Sequence, residues 1–295
     1  MSVWTSRIPS HSVNPMSDSP QPSIPLPDPD TFARSPIVLR EASFSFEITQ
    51  EEFDKKVPSL IAQLQQDGPF PEQKVKEQWK FELDLKEGKV PKPKVTMTQI
   101  PELLRPDGIP LTLHLNPPDG VQPASLILTQ PFSDTNPTRF ADLMAECETW
   151  VTKVFTHFGC DDAVRVALGY RNQIDRHRYP EMWTEEGLTY VDQLLTIFQN
   201  ISNPEYTLLT GDFIIDYTRR FSHLPACKLR VKINSEPTSK GHNFWAATLV
   251  FDCGSSHLKK QGLKGALSIL ADAHSAIYKE FCSQFTQEAL VMFSK

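Results

Sequence analysis

The chain has 295 residues, 39% of them hydrophobic and 22% charged, with a formal net charge of −6. This length and composition are typical of a globular protein with one large core or two halves of ordinary size. The negative net charge excludes a basic footprint over the whole protein, so nucleic acid would need a local patch.

Membrane and secretion signals are not visible in the sequence. No apolar run approaches the ~18 residues of a membrane helix, so we predict no transmembrane span and no membrane partner. The polar, proline-rich N-terminus lacks the apolar core of a signal peptide, which favours a cytoplasmic protein. The five cysteines are widely spaced and include no C-x-x-C pair, so we expect reduced, mostly buried thiols.

The chain divides into three parts. Residues 1–35 are rich in proline and poor in large apolar side chains, so they cannot bury enough surface to offset the entropy of ordering. We predict a disordered arm there, which Trp4 or Phe32 would anchor. We expect residues 36–160 and 161–295 to form two α+β halves that pack as one unit.

The first half reads as a strand, a helix, several strands and a long helix. Apolar and polar residues alternate in "ASFSFEI", and Thr49 is a candidate N-cap for a helix that Pro58 is expected to bend. Alternation continues through the segments "VKEQWKFELDL", "KVTMTQI", "IPLTLHL" and "ASLILTQ". Apolar residues at helical spacing then predict a helix from about Pro137 to Phe158.

The second half repeats this order. "AVRVALGYRNQI" predicts a strand and Trp183–Phe198 a helix, and a last helix is expected from about Lys260 to Phe293. The strands between them lie in "YTLLTGDFIIDYTRRF", "CKLRVKIN" and "FWAATLVFDC". We therefore predict an α+β fold of two similar β-α-β(3-4)-α halves, which form one wide, curved antiparallel sheet packed on two long helices. The TATA-binding-protein-like and helix-grip folds are analogies of architecture.

The sequence carries no signature of catalysis. It has no H-E-x-x-H, no Gly-rich phosphate loop and no G-x-S-x-G elbow, so we predict no metal and no cofactor. Cys253 and His257 are close in "FDCGSSH", but we interpret them as a strand end and a turn rather than a nucleophile and its base.

Basic residues cluster around the strand "RVALGYRNQI" and a later strand end. If these strand ends meet, they form an anion- or nucleic-acid-binding patch. The other interpretation is a solvated sheet edge whose arginines pair with acids. We expect Ala167 and Gly169 to be small because a helix or backbone packs against them, with Arg171 supporting the fold there. The candidate binding residues are Arg165, Arg171, Asn172, Arg176, Arg178, Arg219 and Arg220.

Three segments carry a family resemblance. "VRVALGYRNQID" resembles the G-L-R-Y-x-N-R-I stretch of a sporadically distributed, uncharacterised family of bacterial and archaeal proteins. "SPIVLREASFSFEI" resembles that family's P-I-x-E-A-x-x-x-F opening, and the segment around His274 and Ile277 resembles its L-H-x-x-I-x-x-x-F-E helix. The resemblance spans about 36–293. Gly169 and Gln173 stand where the family has arginines, so a role that needs both basic groups is not carried over.

The resemblance implies an accessory protein of a prokaryotic defence, toxin–antitoxin or mobile-element system. Together with the missing catalytic signatures, it favours a non-enzymatic protein that binds a partner protein through its sheet and helix surface. The alternatives are a nucleic-acid-binding protein and an enzyme of unrecognised type, either of which would use the basic residues around Arg171. The sequence does not predict the oligomeric state.

Overall fold

The computed structural model describes residues 32–67, 70–84, 92–105, 110–119, 122–132, 138–199, 208–210, 212–222, 226–237, 243–254, 258 and 262–294. The arm predicted at 1–35 therefore lies outside the described residues except for its last four. Of these, Phe32 is buried against Phe281 and Phe293. His257, one member of the rejected nucleophile–base pair, also lies outside the described residues.

Nine strands of the described chain form a single antiparallel sheet, and two short strands pair separately. The strands are β1 (Ile37–Phe46), β2 (Glu72–Asp84), β3 (Lys92–Arg105), β4 (Leu111–Asn116), β5 (Ala124–Pro131), β6 (Arg165–Ile174), β7 (Thr189–Tyr190), β8 (Leu209–Thr210), β9 (Ile214–Arg220), β10 (Cys227–Pro237) and β11 (Asn243–Cys253). The order across the sheet is β2-β3-β4-β5-β1-β6-β11-β10-β9. The predicted mixed α and β composition and the large antiparallel sheet are confirmed.

Six α-helices accompany the sheet within the described ranges. They are α1 (Gln50–Asp67), α2 (Phe140–Phe158), α3 (Val191–Leu194), α4 (Thr196–Gln199), α5 (Gly262–Gln284) and α6 (Gln287–Phe293). Thr49 caps α1 as predicted, because its hydroxyl accepts a hydrogen bond from the Glu52 amide at 3.2 Å. Pro58 lies inside α1 without ending it. No helix in the described part of the chain is long and apolar enough to cross a membrane.

The core lies between the sheet and the long helices α2 and α5. Strand β1 turns Ala42, Phe44 and Phe46 toward this side, where all three are fully buried. The Phe46 ring lies 5.2 Å from Phe155 and 5.1 Å from Phe158 of α2, centroid to centroid. The sequence alternation in β1 therefore reports the side of the sheet that the helices cover.

The helix predicted over Trp183–Phe198 is wrong as a continuous element. The chain instead forms a 3-10 turn at Pro180–Met182, the short strand β7 and the two single-turn helices α3 and α4. The aromatic rings of Trp183 and Trp245 stack at 6.5 Å, and Leu195 forms a β-bridge with Phe285. Apolar residues whose spacing indicates a helix are thus drawn into separate contacts with the sheet and with α5.

The last helix is also divided. Helix α5 ends at Gln284, and the Thr286 amide donates to the Leu194 carbonyl at 3.1 Å instead of continuing the helix. The Thr286 hydroxyl then accepts from the Ala289 amide at 3.2 Å, which caps α6. A tertiary hydrogen bond therefore breaks a run that local apolar spacing treats as one helix.

The expectation that all cysteines are reduced is wrong for one pair. Cys227 and Cys253 are joined by a disulfide, with their Cα atoms 4.1 Å apart. They are direct partners across β10 and β11, which places two side chains of neighbouring strands opposite each other. The two cysteines are 26 residues apart in the sequence, so their spacing does not indicate that they pair. Cys147, Cys160 and Cys282 remain as free thiols.

Candidate binding cleft

Strand β6, which contains three of the seven predicted site residues, lies at the centre of the sheet between β1 and β11. Its residues Arg165, Ala167, Gly169 and Arg171 face away from the helices, toward a side that we call the open face. A Cβ atom on Gly169 would lie 3.7 Å from Val250 and 3.9 Å from the Glu41 carbonyl, which are ordinary contacts. The expectation that a close helix or backbone requires a small residue is therefore wrong at Gly169.

The two β6 arginines on the open face each pair with an acid. Arg165 binds Asp252 of β11 through two hydrogen bonds of 2.8 and 2.9 Å. Arg171 forms an ion pair with Glu236 of β10. Side-chain hydrogen bonding and the charge of Asp252 raise the pKa of Arg165, against the opposing effect of burial. These two residues thus match the interpretation of arginines paired with acids.

Asn172 and Arg219 lie on the opposite side of the sheet. Asn172 is buried toward the helices, and its side-chain amide donates to the Ala247 carbonyl at 3.0 Å. Arg219 on the edge strand β9 donates to the buried Glu280 of α5 at 2.9 Å. Asn172 therefore ties β6 to β11 within the sheet, and Arg219, whose side chain is 57% exposed, ties the edge of the sheet to α5.

The remaining predicted residues are spread over the surface. Arg176 and Arg178 follow the end of β6, where they donate to the carbonyls of Glu185 at 3.1 Å and of Ser35 at 2.7 Å. Arg220 is exposed at the end of β9. The structure therefore distributes the seven candidates over both faces of the sheet and over the turn beyond it, rather than in one patch.

A large cleft lies where β3 separates from β4. The two strands are paired only over Glu102–Arg105, whereas β3 pairs with β2 along its full length. The two-stranded ribbon of β2 and β3 consequently extends past the end of β4. Between the ribbon, the start of α1 and the β4–β5 turn is a space of about 1570 Å³ that opens to solvent.

Uncharged polar side chains and prolines dominate the lining of this cleft. The polar residues are Ser43, Ser45, Thr49, Gln50, Gln78, Thr98, Gln99, Asn116, Gln122 and Ser125, and the prolines are Pro58, Pro101, Pro117, Pro118 and Pro123. Five apolar residues, Ile48, Phe53, Val57, Met97 and Ile127, complete the uncharged part. Amides and hydroxyls of this kind donate and accept hydrogen bonds without requiring a charged ligand.

The cleft carries little charge. Among the described lining residues the charged ones are Asp54, Asp119 and Arg165, and Arg165 is already bound by Asp252. Nearby on the open face, His114 lies 3.2 Å from Glu102. Desolvation lowers the pKa of His114, although Glu102 raises it in part, so we expect a neutral imidazole at pH 7. The described lining residues of the cleft therefore carry no surplus of cations of the kind that nucleic-acid phosphates require.

Sequence reasoning missed both the cleft and Arg40. Arg40 is only 1% exposed, on the helix side of β1, in the same alternation phase as Ala42, Phe44 and Phe46. Its position in this alternation would have identified Arg40, because a polar residue at an inward-facing position of a central strand indicates a buried polar contact. No group of three or more His, Cys, Asp or Glu in the described ranges is placed to hold a metal ion.

Comparison with protein-family models, with curated proteins and with solved structures gives no match to this chain. The resemblance to the sporadically distributed prokaryotic family therefore stays a prediction.

Proposed function

We propose that this protein is a non-enzymatic binding protein that holds a partner protein in the cleft between the β2–β3 ribbon, α1 and the β4–β5 turn. The observation that carries the proposal is the shape of this cleft, a space of about 1570 Å³ at the splayed edge of an otherwise continuous sheet. Binding sites in proteins are typically concave and are formed by loops and element ends on a rigid scaffold.

The pairing of charges supports binding over catalysis on the open face. Arg165, Arg171 and Arg230 are each bound to a carboxylate, and hydrogen bonding from Arg230 lowers the pKa of Asp216. This hydrogen bonding favours the ionised form of Asp216, whereas a general acid needs a pKa raised toward neutrality. The same pairing favours a protein partner over nucleic acid as the alternative ligand.

We also propose that the chain consists of two similar halves and that it acts in a particular kind of prokaryotic system. In support of two similar halves, β1 and β6 pair at the centre of the sheet, and each lies beside the strand that precedes a long helix, β5 before α2 and β11 before α5. We infer from the sequence resemblance an accessory protein of a prokaryotic defence, toxin–antitoxin or mobile-element system. Because the comparisons give no match, the two similar halves and the prokaryotic system are proposals.

Co-expression with the products of the neighbouring genes tests the function. The tagged full-length protein is purified with and without nuclease, as the wild type, as Met97→Glu in the cleft and as Val75→Glu on the outer strand β2. Met97 and Val75 are 43% and 52% exposed, so neither substitution inserts a charge into the core. We expect a complex that survives nuclease, is lost in Met97→Glu and is kept in Val75→Glu.

Two results would contradict the proposal or its assignment to the cleft. A complex that disappears on nuclease treatment supports the nucleic-acid alternative and refutes the proposal. A complex that both variants retain places the partner elsewhere on the surface and refutes the assignment to the cleft.

A further inference from the structure

The free edge of β3 lies along the cleft. Within the described residues, Lys92–Pro101 of β3 pairs with β2 alone, because pairing with β4 begins only at Glu102. An unpaired strand edge presents a row of backbone N–H and C=O groups in the geometry that a further strand needs. This edge is therefore a template for an added strand.

The lining residues show that the cleft reaches the free edge of β3 as well as a face of the ribbon. Thr98 and its β2 partner Gln78 lie on one face of the ribbon, and both line the cleft. Met97, Gln99 and Pro101 project to the other side of β3 and line it too. A space that contacts both sides of the ribbon passes around an edge. Because Asn116 of β4 and Ser125 of β5 also line the space, that edge is the free edge of β3.

We propose that the occupant of the cleft is an extended, weakly charged polypeptide segment that adds to the sheet as a strand alongside Met97–Pro101. This inference rests on the proposed function and specifies its partner. The five residues of this edge span about 17 Å, which matches five residues of an added strand. Backbone hydrogen bonds supply affinity in this recognition mode, and pockets for alternate side chains supply specificity.

The chemistry of the walls selects the segment. Amide side chains such as Gln78, Gln99 and Asn116 satisfy the polar side chains or backbone groups that face away from β3. The rim charges Asp54 and Asp119 are acidic, so they repel an acidic segment and disfavour nucleic acid. A segment with neutral side chains, and with basic residues only at its ends, complements this surface.

Peptide display on the full-length protein tests the inference. The probe is a library of random 15-residue peptides, and binders are compared on the wild type, Met97→Glu and the matched control Val75→Glu. The best binder is then synthesised with a single N-methylated backbone amide at each position in turn. Affinity is measured by fluorescence anisotropy.

We expect the effect of N-methylation on affinity to alternate from one position of the peptide to the next. N-methylation at every second position of a five-residue stretch should weaken binding by roughly five- to tenfold, and at the positions between by less than about twofold, because alternate amides of an added strand point away from its neighbour. Binding should be lost with Met97→Glu and kept with Val75→Glu. Hydrogen exchange of the amides within Met97–Ile100 that face the free edge should slow when the peptide is bound.

Each of the other outcomes refutes one stated part of the inference. Binding that depends on Met97 but tolerates N-methylation without periodicity overturns strand addition and leaves the cleft as a protein-binding site. Binders indifferent to both variants, or a library without binders, overturn the inference, and the co-expression experiment then decides the proposed function separately. A benzoylphenylalanine at Met97 that cross-links to residues 1–31 of the same chain overturns the external partner.

Discussion

Replacing Arg40 destabilises the protein far more than replacing Arg171, although both lie on central strands. The Arg40 guanidinium is buried and donates to the Thr138 carbonyl at 2.5 Å and to its hydroxyl at 3.2 Å. The rings of Phe132 and Tyr170 lie 5.8 and 5.6 Å from its central carbon. The Arg171 side chain is 42% exposed, and its ion pair with Glu236 is at the surface.

The expected magnitudes follow from burial. Losing the hydrogen bonds of a buried charged group costs about 1.5 to 3 kcal/mol and the cavity left by the stem adds to this, so Arg40→Ala should lower the free energy of unfolding by about 3 to 5 kcal/mol. Arg40→Met retains most of the apolar stem and should cost about 2 to 3 kcal/mol, mainly for the lost charged hydrogen bonds. Exposed ion pairs contribute about 0 to 1 kcal/mol, which bounds the loss in Arg171→Ala.

Urea unfolding followed by tryptophan fluorescence measures these differences. We expect the three variants to rank Arg40→Ala, Arg40→Met and Arg171→Ala in decreasing cost, with unchanged dependence on urea concentration. A loss for Arg171→Ala as large as that for Arg40→Ala would refute the reasoning. It would instead restore to Arg171 the structural role that the sequence suggested.

Three further predictions concern the disulfide, an alkaline pH effect and a helix cap. Alkylation of the denatured chain without reductant should modify three of the five cysteines, and all five after reduction; five before reduction would contradict the β10–β11 disulfide. Burial, and then the hydrogen bond to Glu280, raise the pKa of Tyr217 to about 12. The native state therefore keeps a proton that the unfolded chain releases near pH 10, so this stabilisation is present below pH 10 and is lost as pH rises through 12. The stability difference between wild type and Tyr217→Phe should accordingly shrink by about 1 kcal/mol from pH 8 to 11, and a constant difference would contradict it. Thr49→Ala should cost about 1 kcal/mol of stability in urea unfolding through loss of the α1 cap. The exposed mid-helix control Thr149→Ala should stay within about 0.5 kcal/mol, and equal effects would argue against the cap.

The apolar periodicity of the sequence predicts a helix or strand correctly where the rest of the protein covers one face of that element. The alternation in β1 and β6 and the apolar stripe of α2 each predict an element that the structure confirms, because the buried side is selected residue by residue. The pattern failed at Trp183–Phe198, where contacts with the sheet and α5 break the helix into short pieces. Residue type alone does not predict the burial of Arg40, because an arginine in a strand usually faces solvent, whereas its alternation phase places it among the buried positions of β1.

The cleft depends on strand lengths and register, which local periodicity reports poorly. Strand β3 has 14 residues and its neighbour β4 has 6, so part of β3 must extend without a partner on that side. The sequence pattern ended the strand at Ile100, because Pro101 normally argues against a strand interior. Proline is tolerated where a strand edge carries no ladder hydrogen bond. Pro101 directly precedes Glu102, the first residue of β3 paired with β4. This proline therefore marks the point where β3 separates from the sheet, and it indicates a free edge rather than the end of the strand.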